Sequence, residues 1–388
     1  LRGYAIDALR GGGTAAAKAI SARIGASDVS LAQQSRLVRT LGVIDDAHAR
    51  DELLAMIGCS NRELREQVMI ALARQPVAVN PSDLPRVLTQ IEREHGDAIW
   101  LLLQLLACRE QGDLSIVPPL REQLAATRRR LLLLLQLRHD REAMEQVRDR
   151  IGDRSAQRRA YALELLDNLL QGELKARLLP LFDAQGEAAC LEKLRVPAAQ
   201  AQPAQQRRLQ IEGTAFEWGC GWLQASAICA LDMRAPASTQ RVQQRADAPG
   251  LAGQAAHWWL ARAQREFTSA QRSEVEWQFV GNHRVGLLRE VEIFAEAGES
   301  ALARIAERLS EFGIRRGQLI VDQGEVGDSL YLIAAGSVGV HMRGSTCVDA
   351  DQAATPKLQR IATLHAPDIF GEFSLIDGQP RSALVKAD

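Results

Sequence analysis

The sequence predicts a multidomain α plus β chain: an N-terminal α-helical solenoid, then a C-terminal β-barrel of the jelly-roll type with flanking helices. The 388 residues are 46% hydrophobic and 24% charged but only 4% aromatic, and Ala, Leu, Arg and Gln, all strong helix formers, are prominent. Apolar residues recur at helical spacing through the first two-thirds of the chain. From Ile314 the period shortens towards that of strands, and glycines punctuate it. At roughly 150 residues per domain, the length corresponds to two or three domains.

The helical part reads as a series of hairpins. Leu53, Leu54 and Ile57 share one face, Gly58-Cys59-Ser60-Asn61 breaks the pattern, and Leu64, Val68 and Leu72 resume it until Pro76. Asn61 is a predicted N-cap, with Glu63 and Glu66 near the positive end of the helix dipole. Such a hairpin cannot bury its apolar stripe alone and must stack on neighbours. Similar units follow: Ser82 to Glu94 paired with Asp97 to Arg109, Ser115 to Thr127 leading into Arg128 to Arg150, and Asp153 to Leu170 paired with Glu173 to Phe182. Their Leu-rich hairpins resemble HEAT or armadillo repeats over 1–194. An Ala-, Gln- and Pro-rich stretch at 195–206 is read as a linker, and 207–282 as an aromatic-rich helical segment that continues or caps the solenoid. Its rings, Phe216, Trp218, Trp222, Trp258, Trp259, Phe267, Trp277 and Phe279, are expected in the core; the alternative is an interface.

Charge excludes some partners. Lys+Arg 47 against Asp+Glu 48 leaves a formal net charge of -1, which favours neither nucleic acid nor an acidic membrane. Arg128-Arg129-Arg130 is read as a solvated first turn on an otherwise buried helix, since acidic residues match Arg along this region. No apolar run reaches the ~18–20 residues of a membrane span; Ile99 to Cys108, Arg130 to Leu137 and Trp218 to Met233 are read as buried helices. Six scattered cysteines without paired spacing, and no signal peptide, predict free thiols in a cytoplasmic, reducing compartment. The absence of an initiator Met before Leu1 is read as the cut end of a fragment.

The last hundred residues carry the chemistry. Two helical pieces, Val285 to Phe294 and Glu299 to Phe312, precede short strands at Gly317 to Val321, Ser329 to Ile333 and Val338 to His341. With Gly324, Gly327, Asp328, Ser329, Leu330, Tyr331 and Gly336 in place, this stretch resembles the opening of a cyclic-nucleotide-binding domain of the catabolite-activator type. The run Phe370-Gly371-Glu372-Phe373-Ser374-Leu375-Ile376-Asp377-Gly378-Gln379-Pro380-Arg381-Ser382-Ala383 resembles that family's phosphate-binding cassette. The resemblance implies a domain at 283–388, ending before its closing helix. It also implies that Glu372 and Arg381 take the family's ribose and phosphate roles.

The residue chemistry agrees. Gly371 permits a sharp turn close to a ligand. Phe373 to Ile376 can form a short helix with free amides, and Arg381 offers a planar, always-charged donor fork suited to phosphate. Glu372 can accept from a ribose 2′-hydroxyl, and Ser382 can donate to the phosphate, with Ala383 completing the cassette. Phe373, Ser374 and Leu384 depart from the residues usual at those places.

The expected ligand is cAMP in preference to cGMP, with no cofactor, no metal and no catalytic residue: no Ser/His/Asp grouping, metal cluster or P-loop is seen. The order of domains also resembles the soluble tails of bacterial membrane proteins related to ATP/ADP translocases. That resemblance implies a cytoplasmic sensor tethered to the inner membrane through an upstream domain. A protein partner on the helical repeats and a homodimer are further expectations. The alternative is a HEAT-repeat interaction scaffold whose barrel no longer binds nucleotide.

Overall fold

The computed structural model describes residues 12–388 except 27, 76–78, 154, 184–185, 198–201, 249, 264–279, 295–296, 298 and 344–357. The chain divides into two compact units, Leu1–Gln271 and Arg272–Asp388. A mostly helical N-terminal part is therefore followed by a part that carries the strands.

The first unit contains α1 (Gly13–Ile24), α2 (Leu31–Leu41), α3 (Ala47–Ala55), α4 (Arg62–Arg74), α5 (Leu84–Glu110), α6 (Val117–Gln136) and α7 (Arg141–Arg150). It continues with α8 (Ala156–Leu169), α9 (Gly172–Phe182), α10 (Glu187–Lys193), α11 (Ala204–Trp218), α12 (Gly221–Ala230), α13 (Pro236–Gln243) and α14 (Leu251–Ala263). Neighbours in sequence pack on one another, α1 on α2, α5 on α6, α7 on α8 and α11 on α12 among them, while α10 returns to α5. Asn61 caps α4 as expected, its side-chain oxygen accepting from the Leu64 amide at 3.0 Å. Leu131 to Leu135 are all buried, so α6 is apolar on every side over that stretch and belongs to a core. No helix among the described residues is long and apolar enough to cross a membrane.

Four sequence expectations are corrected. Ser82–Glu94 and Asp97–Arg109 are not two helices: α5 runs unbroken through Gly96, because burial along its length outweighs the ~1 kcal/mol that a helical glycine costs. Arg128–Arg150 is broken, α6 ending at Gln136 and α7 starting behind Asp140, whose carboxylate accepts from the Ala143 amide at 2.8 Å. Trp218 closes α11, and Gly219, at φ 71°, turns the chain into the separate helix α12. Arg128-Arg129-Arg130 is not a solvated first turn either: it lies in the middle of α6, and Arg130 is buried.

Arg130 is buried because its charge is met inside. Glu94, fully buried on α5, is paired by Arg65 Nε and by Arg130 Nε, each at 2.8 Å, and accepts from Gln90 Nε2 at 2.9 Å. Asp97, one turn further along, pairs with Arg62. The Arg62 guanidinium lies 3.0 Å from the centroid of the Trp218 ring, and Trp218 meets Trp100 edge-on at 5.1 Å. Burial pushes the Glu94 carboxyl upward, but the Arg130, Arg65 and Arg62 charges outweigh it and hold the group below the usual carboxylate range. A charge cluster thus ties α4, α5, α6 and α11 together.

Trp222 and Trp259 are core residues, as expected. Phe216 is not: it is 47% exposed, under the Arg245 guanidinium at 3.6 Å. Phe267, Trp277 and Phe279 lie outside the described residues, as does Cys347; Cys59, Cys108, Cys190, Cys220 and Cys229 are free thiols.

The second unit begins with α15 (Val280–Glu290) and α16 (Glu299–Arg308). Six strands follow: β1 (Leu319–Val321), β2 (Tyr331–Leu332), β3 (Ser337–Arg343), β4 (Leu358–His365), β5 (Ile369–Phe370) and β6 (Leu384–Ala387), with the short helix α17 (Glu372–Asp377) between β5 and β6. They form two antiparallel sheets, one in the order β1-β6-β3-β4 and one of β2 with β5. Val321, Ile333, Val338, Phe370 and Val385 form their shared core. The expected closed barrel is not found among the described residues: β2 and β5 are two residues long, pair only with each other, and give the chain around them to turns at Gly324, Gly336 and Gly371.

Candidate functional site

The site is built where the two-stranded sheet meets α17. Pairing of Tyr331 with Phe370 and of Leu332 with Ile369 fixes the end of β5, and the Tyr331 and Phe370 rings stack at 5.0 Å. Gly371 follows at φ 88°, a backbone that non-glycine residues rarely adopt, and starts α17. A Cβ at Gly371 would lie 2.5 Å from Arg381 Nη1 and 3.0 Å from the Ser329 carbonyl oxygen, so glycine is required by space as well as by φ.

Arg381 sits just before β6 and is 6% exposed. Its main chain is anchored on the turn after β1: its amide donates to the Glu325 carbonyl at 2.8 Å, and its own carbonyl accepts from the Gly324 amide at 2.8 Å. Its guanidinium donates through Nη1 to the Gly371 carbonyl at 2.8 Å and through Nη2 to the Ser329 carbonyl at 2.7 Å. The Tyr331 ring centroid lies 5.8 Å from Cζ. No carboxylate of the described residues forms an ion pair with it; Asp328, next to Ser329 in sequence, accepts instead from the Ser329 hydroxyl at 2.8 Å. Two carbonyl dipoles orient this buried cation without neutralising it, and a guanidinium has five N–H donors, so donors and charge remain for an anion.

Glu372, the first residue of α17, is half-buried, and its Oε2 is shielded from solvent without a hydrogen-bond partner. An ionised carboxylate oxygen in that condition is an acceptor in search of a hydroxyl or amide donor. Ser374 is buried, Phe373 is 63% exposed, Ser382 is exposed and Ala383 is half-buried. Of the residues read from the sequence, Gly371 and Arg381 are thus brought into direct contact. Glu372 and Ser382 flank them in sequence, and Phe373 and Ser374 point to opposite environments.

The sequence reading left the other half of the cradle out of the site. Glu325, Gly327 and Ser329 of the β1–β2 turn, and Tyr331 at the start of β2, hold Arg381. They were visible as turn glycines and the stretch beside them, but three of the contacts are made by main-chain atoms, which leave no side-chain signature.

Comparison with known proteins places the same stretch of chain in a family. The cyclic nucleotide-binding domain family matches residues 312–388. The chain is 31% identical over 102 residues to the cAMP-dependent protein kinase regulatory subunit of Yarrowia lipolytica, covering 26% of this chain and 24% of that protein. It is 36% identical over 101 residues to a cyclic nucleotide-gated potassium channel of Rhizobium etli (26% and 24% covered). A CRP-like cAMP-activated global transcriptional regulator of Mycobacterium tuberculosis is 31% identical over 98 residues (25% and 39% covered). The matched stretch is well under half the length of each relative. The regulatory domain of Toxoplasma gondii PKA with cAMP overlaps 31% of this chain and 40% of that one at 20% identity, with a TM-score of 0.24, too loosely to bear on the fold. The C-terminal part of the chain is a cyclic nucleotide-binding domain by family, built around an arginine that its neighbours orient but do not neutralise.

Proposed function

We propose that this chain is a non-catalytic cyclic-nucleotide sensor, with cAMP preferred to cGMP. The observation that carries the reading is the buried, uncompensated Arg381 held by the Gly371 and Ser329 carbonyls inside a segment of this family. A cyclic phosphodiester supplies the missing anion, and its 2′-hydroxyl supplies the donor that Glu372 Oε2 lacks. The cAMP in the names of two of the relatives supports the choice of base.

On this reading the helical unit is the responder, a HEAT-like stack of hairpins that offers a surface to a protein partner. Ligand shifts it only so far as the two states of the domain bind nucleotide differently. The tether to the inner membrane and the bacterial origin rest on the resemblance of architecture to translocase tails; the cytoplasmic location rests on the scattered cysteines, and the homodimer is a further part of the proposal. The test is a thermal-unfolding series with cAMP, cGMP and AMP. A sensor is stabilised by the cyclic nucleotides, by about 2.7 kcal/mol at a hundred times Kd, and not by AMP. A transition that cAMP and cGMP leave in place assigns the chain to the alternative, a scaffold whose C-terminal domain binds no nucleotide.

A further inference from the structure

Arg207, on α11, is 2% exposed, and its Nε and Nη2 have no hydrogen-bond partner. Arg62 and Arg65 carry shielded nitrogens too, but Asp97 and Glu94 pair with them. No carboxylate of the described residues forms an ion pair with Arg207. Asp113 is taken by the next residue, Arg208, whose Nε donates to one carboxylate oxygen at 3.2 Å and whose Nη2 donates to the other. Cys108, in the last turn of α5, lies beside Arg207 but gives it no counter-charge: burial pushes the thiol up, against the pull of the guanidinium. The place on the helix adds to the cost. Arg207 stands one turn into α11, whose N-cap Pro203 makes no side-chain cap, and the positive end of a helix disfavours a cation. A guanidinium buried on those terms calls for an anion.

The two nitrogens give that anion a shape. Nε–H and Nη2–H run parallel along one edge of a guanidinium, spaced to meet two oxygens of one group. Arg208 holds Asp113 by that same edge, and in Arg207 the nitrogens of that edge are the unpartnered ones. We infer that Arg207 is a buried site for a small oxyanion, a carboxylate or a phosphate, two oxygens of which accept from Nε and Nη2. The site lies where the end of α5 meets the approach to α11, a junction closed by Gln111 Nε2, which donates to the Gln202 carbonyl at 3.0 Å. An oxyanion there offsets the buried charge and the helix pole together. The site belongs to the helical unit and does not depend on the proposed nucleotide binding.

The experiment is thermal unfolding of the full chain without nucleotide, at constant ionic strength, with sodium chloride replaced stepwise by acetate, by formate or by phosphate. The wild type, Arg207→Met and Arg207→Lys are compared. In the wild type, acetate and formate, or phosphate, are expected to raise the midpoint of the helical unit saturably, by about 5–10 °C at a hundred times Kd. The arm with the larger shift identifies carboxylate or phosphate as the occupant. Arg207→Met removes the charge and is expected to show no saturable shift; any general salt effect on stability persists in it and is subtracted. Arg207→Lys keeps the charge without the two-donor edge and is expected to respond to the oxyanions no more than to chloride. It carries the test if the methionine variant fails to fold. A wild type that responds to acetate, formate and phosphate only as it does to chloride overturns the inference, as do equal shifts in the wild type and either variant.

Discussion

Arg381 Nη2 donates to the carbonyl oxygen of Ser329 at 2.7 Å, across 52 residues of sequence. With Nη1 on the Gly371 carbonyl, the bond pins two separate turns to one cation. The pin needs a fork: two terminal nitrogens in one plane, each aimed at a different carbonyl. Lysine has one nitrogen and no plane. Arg381→Lys is therefore expected to keep the charge but lose one of the two anchors, with cyclic-nucleotide affinity falling about ten- to a hundredfold. Titration calorimetry checks this; wild-type affinity in the lysine variant would show that charge alone suffices.

Glu372 provides a prediction about the sugar. Its unpartnered Oε2 is assigned to the ribose 2′-hydroxyl. The wild type is expected to bind cAMP more tightly than 2′-deoxy-cAMP by about 1.5–3 kcal/mol, and Glu372→Ala to bind the two alike. A variant that still discriminates removes Glu372 from that role.

Within the helical unit, Glu94 holds Arg65 and Arg130 in the interior. Glu94→Gln leaves those guanidinium groups without their anion and is expected to cost about 3–5 kcal/mol, read as a lower urea midpoint of the helical unit. Replacing Glu94, Arg65 and Arg130 together by apolar residues of similar volume is expected to cost less than the single change.

Acid should loosen the same unit in two stages. Burial first, and the Arg177 charge second, hold the His95 imidazole below its ordinary 6.5, so the unfolded chain takes up that proton more readily. The stability this represents is present above pH 6.5 and lost as pH falls through the depressed folded value; His139, lowered by burial and Arg138, acts in the same direction. Below the ordinary 4.5 of glutamate, the depressed Glu94 adds a second loss. Burial holds Asp97 above its ordinary range, so its protonation returns part of that loss. Urea midpoints between pH 8 and 5 are expected to fall in the wild type and to flatten in a His95→Gln/His139→Gln variant; equal slopes would contradict the assignment.

Gly219, in the turn between α11 and α12, approaches the start of α4. It sits at φ 71°, and a Cβ there would lie 2.6 Å from Asn61 Nδ2, on the residue that caps α4. Gly219→Ala is expected to cost roughly 1–3 kcal/mol through backbone strain and a displaced cap. A midpoint equal to wild type would show that the turn relaxes freely.

What the sequence disclosed depended on how far apart the partners lie. The Asn61 cap spans three residues and the Gly371–Arg381 half of the cradle ten, and both lie within a single legible stretch of sequence. Burial of Arg130 was not, because its partner Glu94 lies 36 residues away on another helix, and a triple arginine looks the same whether solvated or paired. The run of α5 through Gly96 escaped because periodicity cannot weigh one glycine against the burial of a whole helix. Ser329 and Glu325 escaped because they act through carbonyl oxygens that every residue carries.

Calorimetric titration of cAMP into the full chain, beside Arg381→Ala, tests the central claim most directly. The account predicts saturable one-to-one binding by the wild type and a loss of about 2–5 kcal/mol in the variant, roughly thirty- to several-thousandfold in affinity. No heat of binding in the wild type, or the same affinity in both proteins, would contradict it.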